Sequence, residues 1–320
     1  MTIFLPNYKF KIIYFFLTIF FMSCTDEKNI KLKDIEIVRF EQLFQNIEPF
    51  NLKELKSEYP FFFPSKYNDS VWINRLKDSV QKEIFNEVQF KYKSTDSIKN
   101  EISLFFNEKS KYFNNFSYPK IFTVNSDIDY KNKIILADSI LLIALDNYLG
   151  EKHPFYKGIP KYIREDMESI NIISDISEQY AKFHINQSEY YTFLDKIIYF
   201  GKILYFKDVT LPNYPDNLKI GYSLDKMKWA NTNQYNVWIY FIENDILFSP
   251  ESSLDNRFIN NAPFSIFYSN NDSETSEMIG KFIGWQIVRS YAKNNNVSLT
   301  ELLNMSPVKI YNNSKFKPLK

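Results

Sequence analysis

Glu189–Phe206 reads EYYTFLDKIIYFGKILYF, and Tyr162–His184 precedes it. In the first segment Phe193, Ile197, Gly201 and Leu204 recur every three or four residues, which marks one buried stripe of a helix. Ile163, Met167, Ile170, Ile173, Ile176, Tyr180 and Phe183 do the same in the second. The two helices form the middle of the domain, and any chemistry is expected there.

Toward the C terminus the helical character continues. Leu224–Phe248 reads as one long helix carrying Trp229 and Trp238. Met278–Asn295 is another, with Ile279, Ile283, Ile287 and Tyr291 on one face. Gly280 and Gly284 lie one turn apart and permit close helix contact. Lys281, Gln286 and Arg289 argue against a lipid-facing role for that pair. Val297–Leu303 is expected to be the final helix, followed by a basic tail.

Toward the N terminus, Asp34–Phe40 alternates like a strand. Glu41–Ile47 and Asn51–Glu58 are short helices, broken by the proline-flanked aromatic run Tyr59–Pro64. Asp69–Phe90 reads as one helix with Trp72, Leu76, Val80, Ile84 and Val88 inward, and Asp96–Phe113 as the next. Lys120–Val124, Lys133–Ala137 and Ile140–Ala144 are β-branched and apolar. They predict a small, mostly antiparallel sheet completed by the first strand, with Asn125–Asn132 as a hairpin connection. The expected class is α+β, mostly helical. A small antiparallel or mixed sheet in the N-terminal half packs with a helical C-terminal half, in one globular domain over residues 34–320.

The leader has its own logic. Lys9 and Lys11 precede the apolar run Ile12–Met22, about half of the ~20 residues a spanning helix needs. Phe21-Met22-Ser23-Cys24 resembles a bacterial lipobox. Residues 1–23 are then a lipoprotein signal peptide, Cys24 the lipid attachment, and residues 24–33 a lipidated tether. Acyl chains on Cys24 would anchor the domain to a bilayer. Cys24 is the single cysteine, so no disulfide forms within the mature chain. The acidic pair Asp26-Glu27 reads as part of the solvated tether.

Composition removes several functions. The net charge is +1 over 320 residues, so no field steers the chain toward nucleic acid. Aromatic residues reach 18%, which an AT-rich coding sequence explains as well as a stacking surface does. Only six glycines occur, and glycine-rich phosphate cradles are nearly excluded. No G-x-S-x-G is present. The two histidines, His153 and His184, lie too far apart in sequence to share a helix face as zinc ligands. No metal, cofactor or catalytic residue is therefore assigned. The residues left as a candidate groove are Asp175 and Glu178, three apart on one helix, with Lys202 and Arg289. Lys202 follows Gly201 in an apolar segment, and Arg289 lies one turn from Trp285, on which it could stack.

Several stretches, taken in order, carry a resemblance. They are Tyr148-Leu149-Gly150 with His153-Pro154-Phe155-Tyr156, Pro160-Lys161-Tyr162-Ile163, Leu194 through Lys202, Leu211-Pro212, Gly221-Tyr222-Ser223 and Trp229. Trp238 through Phe248, Ala262-Pro263-Phe264, Gly284 through Tyr291 and Ser314 through Pro318 complete them. Together with the lipobox, this order and spacing resembles the GldB family of gliding-motility lipoproteins from Bacteroidetes, over essentially the whole mature chain. The resemblance implies a role in gliding motility, whose machinery is linked to type IX secretion, and no known reaction. With the lipobox and the missing ligands it leads to the expectation of a non-enzymatic role. Its partners would be proteins of that machinery, and its place the outer membrane facing the periplasm. The layout is also similar to predicted zinc proteases of the zincin type, whose first helix carries H-E-x-x-H and whose second carries a Glu before its Gly. Here Ile163–His184 has no such motif and Phe200 precedes Gly201, which implies a zincin-like scaffold without its metal. Two alternatives stand beside this: an envelope hydrolase using Asp175 and Glu178, or a glycan-binding lipoprotein using aromatic faces.

Overall fold

The computed structural model describes residues 34–186 and 191–320. The signal peptide, Cys24 and the tether lie outside the described residues. From the N-terminal side run β1 (Ile37–Arg39), α1 (Phe40–Gln45), α2 (Leu52–Glu58), α3 (Asp69–Lys77), α4 (Ser79–Lys91) and α5 (Asp96–Ser110). The strands β2 (Lys120–Val124), β3 (Ile134–Ala137) and β4 (Ile140–Ala144) follow. Then come α6 (Lys161–Arg164), α7 (Ile172–His184), α8 (Phe193–Thr210) and α9 (Asp216–Ile220). The chain continues through α10 (Leu224–Thr232), α11 (Gln234–Glu243), α12 (Ser253–Phe258), α13 (Ile279–Asn294), α14 (Leu299–Asn304) and α15 (Pro307–Asn313). The α+β class with a small mixed sheet is as expected.

The sheet order is β1-β2-β4-β3. Contrary to the mostly antiparallel expectation, β1 and β4 both run parallel to β2, with Ile37 opposite Ile121 and Phe122 opposite Leu142. Long connections allow this: β1 reaches β2 only after α1–α5. Among the described residues the one antiparallel pair is β3 with β4, where Leu136 faces Leu141 across a turn at Asp138, φ +45°. Asn125–Asn132 is therefore no hairpin, because β4 lies between β2 and β3. The Asp146 carboxylate shapes that loop, accepting from the Ser126 N–H at 3.0 Å and the Ile128 N–H at 2.7 Å.

Several helices are shorter than their periodicity predicts. The helix expected over Asp69–Phe90 divides at Asp78, whose extended backbone and carboxylate cap α4 through the N–H groups of Val80 and Gln81. Val80, expected inward, is 56% exposed. Tyr162–His184 divides into α6, a 3-10 turn at Ser169–Asn171 and α7, which leaves Ile170 and Phe183 exposed. Leu224–Phe248 divides at Asn233 into α10 and α11. The helix expected last is not last, since α15 follows it with Pro307 in its first turn.

α8 is the wall between two cores. A capping box starts it: Thr192 Oγ1 accepts from the Asp195 N–H, and the Asp195 carboxylate accepts from the Thr192 N–H. One side, through Ile203 and Phe206, packs with α5, α7 and the sheet. The other, through Phe193, Ile197 and Leu204, packs with α11, α12 and α13. α8 and α13 make the most extensive helix pair among the described elements. Glycine permits this: a Cβ on Gly284 would lie 1.8 Å from the Ile197 carbonyl oxygen, and one on Gly201 2.4 Å from that of Gly284. A third, aromatic cluster joins Phe40 and Phe63 to Phe122 of β2.

Candidate functional site: a lysine-lined cleft

α7 places Ser174, Asp175, Glu178 and Lys182 along one flank, because residues three or four apart share a helix face. α8 brings Lys207, the start of β3 brings Lys133, and the first turn of α13 brings Lys281. Together with Asp166 they line a cleft of about 230 Å3.

Each carboxylate of α7 has a cationic partner. Asp175 Oδ2 accepts from the Tyr148 hydroxyl at 2.7 Å and pairs with Lys133 at 2.7 Å. Burial, and then Asp175 itself, raises the Tyr148 hydroxyl well above its ordinary pKa, so it stays a donor. Glu178 pairs with Lys182 at 2.9 Å and Lys207 at 3.0 Å. Burial opposes its ionisation, but Lys207, Lys182 and Lys281 together hold it well below the usual carboxylate range.

Lys207 is almost fully buried. Its ammonium donates to Ser174 Oγ at 3.1 Å, Glu178 Oε2 at 3.0 Å and the Lys219 carbonyl at 2.9 Å. Ser174 and Glu178 stand at i and i+4, one turn apart on the same helix face. Here that spacing holds an ammonium. Among the described residues no group of three His, Cys, Asp or Glu is placed to hold a metal ion.

Asp166 differs from its neighbours. Burial pushes its carboxyl up to about 7, with Asp175 and Glu277 adding to the rise against the pull of Lys133 and Lys207. Its carboxylate makes no hydrogen bond among the described residues. It exchanges its proton near neutrality, as a general acid or base must.

The groove expected from sequence is not one site. Asp175 and Glu178 are together in the cleft, whereas Lys202 and Arg289 are elsewhere. The Lys202 ammonium donates to the carbonyls of Leu303 and Met305, at 2.9 and 2.6 Å, and so caps the end of α14. It is buried rather than snorkelling, and burial pulls its pKa down to about 8. Arg289 lies over the Trp285 ring at 3.7 Å, and its guanidinium forks onto Asp208 at 2.6 and 2.7 Å. Both are ties between helices. His153 lies 3.3 Å from Glu87, and His184 stacks on Phe113 at 3.9 Å, so neither belongs to the cleft.

Sequence reasoning passed over Asp166, Lys133, Lys207 and Lys281. One signal was present for Lys207: it falls three residues after Leu204, on the buried stripe of α8. A charge at such a position needs a partner.

Among the described residues no helix is long and apolar enough to cross a membrane. No curated protein and no solved structure matches the chain, so the zincin comparison rests on sequence layout alone. The family described as gliding motility protein GldB matches residues 23–318, from the residue before Cys24 almost to the C terminus. By that match the chain belongs to the GldB family of gliding-motility lipoproteins.

Proposed function

We propose that this gliding-motility lipoprotein works by binding envelope partners rather than by catalysis, serving gliding and the type IX secretion linked to it. Lipid on Cys24 holds it at the outer membrane, with the domain in the periplasm. The state of the α7 carboxylates supports this reading most directly. Asp175 is tied to Lys133 and Tyr148, and Glu178 lies among three ammonium groups that keep it ionised. Both carboxylates are engaged by cationic partners, and Glu178, held ionised, is not the proton-passing group that a hydrolase built on that pair requires.

The test is a deletion strain complemented by wild type, Cys24→Ala and Asp175→Asn, scored for single-cell movement and for secreted protein. Wild type and Asp175→Asn are expected to restore both, and Cys24→Ala neither. Rescue by Cys24→Ala would remove anchoring from the role. Protease shaving of intact cells should leave the domain uncut; its loss would place the domain on the surface.

One observation favours an enzymatic reading instead. Asp166, with its carboxyl pushed up to about 7 and no hydrogen bond to that carboxyl among the described residues, has the properties of a general acid–base group. Loss of movement in Asp166→Asn, with abundance and envelope crosslinks unchanged, would favour a hydrolase. Normal movement in that strain would dispose of it.

A further inference from the structure

Lys182, Lys207 and Lys281 all act on one carboxylate, Glu178. Lys207 is fully engaged by a hydroxyl, that carboxylate and a carbonyl. Among the described residues Lys182 pairs with Glu178. Lys281 reaches no oxygen among the described residues. Its ammonium touches the Met278 sulfur at 3.2 Å and lies 4.6 Å from the centre of the Phe200 ring. A thioether and a ring face are poor substitutes for the oxygens that a half-buried ammonium ordinarily finds. Lys202 and Lys219, also withdrawn from solvent, show the usual solution: Lys202 takes two carbonyls, and Lys219 takes Asp208 and Asp216.

Lys281 is also on the unfavourable end of its helix. It sits in the first turn of α13, where the helix dipole already presents positive charge. An anion in the cleft would answer both the dipole and the ammonium. The rest of the wall fits. The Gln179 amide lines the cleft with no hydrogen bond among the described residues. Met278, in the same wall, holds the left-handed backbone at φ +51°, a conformation that ordinary side chains adopt at a cost and that gathers at ligand clamps. The acidic groups nearby do not defeat this. Asp175 is neutralised by Lys133, and Asp166 takes up a proton near neutrality.

We propose that the cleft binds a phosphate monoester, its dianion held by Lys281 and Lys182 with the Gln179 amide donating to it. Three ammonium groups against one carboxylate leave an excess of two positive charges, which matches a dianion rather than a single carboxylate. The cleft of about 230 Å3 takes a headgroup-sized ligand. This deepens the binding role proposed above but does not depend on the motility assignment, because its test is made on purified protein.

The experiment is calorimetric titration of the full-length protein in detergent with inorganic phosphate, dihexanoyl phosphatidic acid and acetate. Phosphate is expected to bind, acetate much less, and Lys281→Gln to weaken phosphate binding about tenfold or more, as for loss of a charge-assisted contact. The thermal midpoint of Lys281→Gln should match or exceed that of wild type, since a cation without an oxygen partner is removed. Lys182→Gln is the second variant, with the same loss expected, and it decides the matter should Lys281→Gln fold poorly. Tighter binding of the phosphatidic acid would make the ligand a lipid headgroup; equal binding would make it a soluble phosphoester. No phosphate binding, acetate binding as tightly as phosphate, or unchanged affinity in the variants would each overturn the proposal.

Discussion

Lys109 of α5 is 1% exposed and has no carboxylate or hydrogen-bond partner among the described residues. Its company is aromatic: Phe116, Tyr180 and Phe113, with ring centres 3.7, 4.7 and 4.8 Å from the ammonium. Ring faces attract a cation, but not enough to replace lost water. Burial pulls the pKa from 10.5 down to about 7. The unfolded chain holds that proton up to 10.5, the folded chain only to about 7. The folded state is therefore penalised in full below about pH 7 and recovers as the pH rises toward 10.5. Replacing the ammonium by a methionine of similar length removes the penalty. Lys109→Met should stabilise the protein by roughly 2 kcal/mol at pH 7. The gain over wild type should shrink toward pH 10.5, measured by urea unfolding across the range. His184 nearby, held down to about 4 by burial and by the Lys109 charge, should titrate higher in the same variant. A variant less stable than wild type at pH 7 would mean that the rings compensate the charge after all.

At the scale of elements, the crossing of α8 and α13 is set by glycine. A methyl on Gly284 would overlap the Ile197 carbonyl, at 1.8 Å, and backbone on both sides cannot give without parting the helices. Gly284→Ala is expected to cost more than about 3 kcal/mol, above the ordinary range for overpacking. Gly158→Ala, where no atom lies within 4 Å, should be near neutral, so the pair separates contact from propensity in one thermal melt. Equal melting points would show that the two helices do not meet at backbone contact. This crossing was legible in the sequence, because Gly280 and Gly284 interrupt an apolar stripe at one-turn spacing. The helix breaks were not. Apolar periodicity runs through Asp78 unbroken, and only the capping geometry of that one side chain divides α3 from α4. Strand direction was hidden for a different reason: alternation in β2 and β4 says which face is buried, not which way a neighbour runs. The cleft was half legible. Asp175 and Glu178 share a helix, so spacing joins them. Lys133, Lys207 and Lys281 come from three other elements, and only tertiary packing brings them there.

For the whole molecule, the question is whether two cores behave as one. α8 supplies side chains to both, and Phe200 and Tyr205 touch each. At its C-terminal end Asp208 fastens the wall. Its Oδ2 accepts from the Trp285 indole at 2.8 Å and from Arg289 Nε at 2.6 Å, and its Oδ1 accepts from Arg289 at 2.7 Å and Lys219 at 3.0 Å. One carboxylate thus binds α8 to α13 and α9. Asp208→Asn keeps the shape and removes the charge, leaving Arg289 with Asp216 alone, at 2.8 Å. Breaking a buried, multiply bonded ion pair typically costs about 3–5 kcal/mol, and partial exposure of Arg289 places this case near the lower end. Because α8 cannot leave one core without leaving the other, the loss should appear as a lower urea midpoint in a single transition of unchanged slope. A loss of that size also enlarges the unfolded fraction in cells, so movement should fall in step with protein abundance. Two transitions in Asp208→Asn, or a second plateau, would show that the cores fold independently and that α8 only borders them.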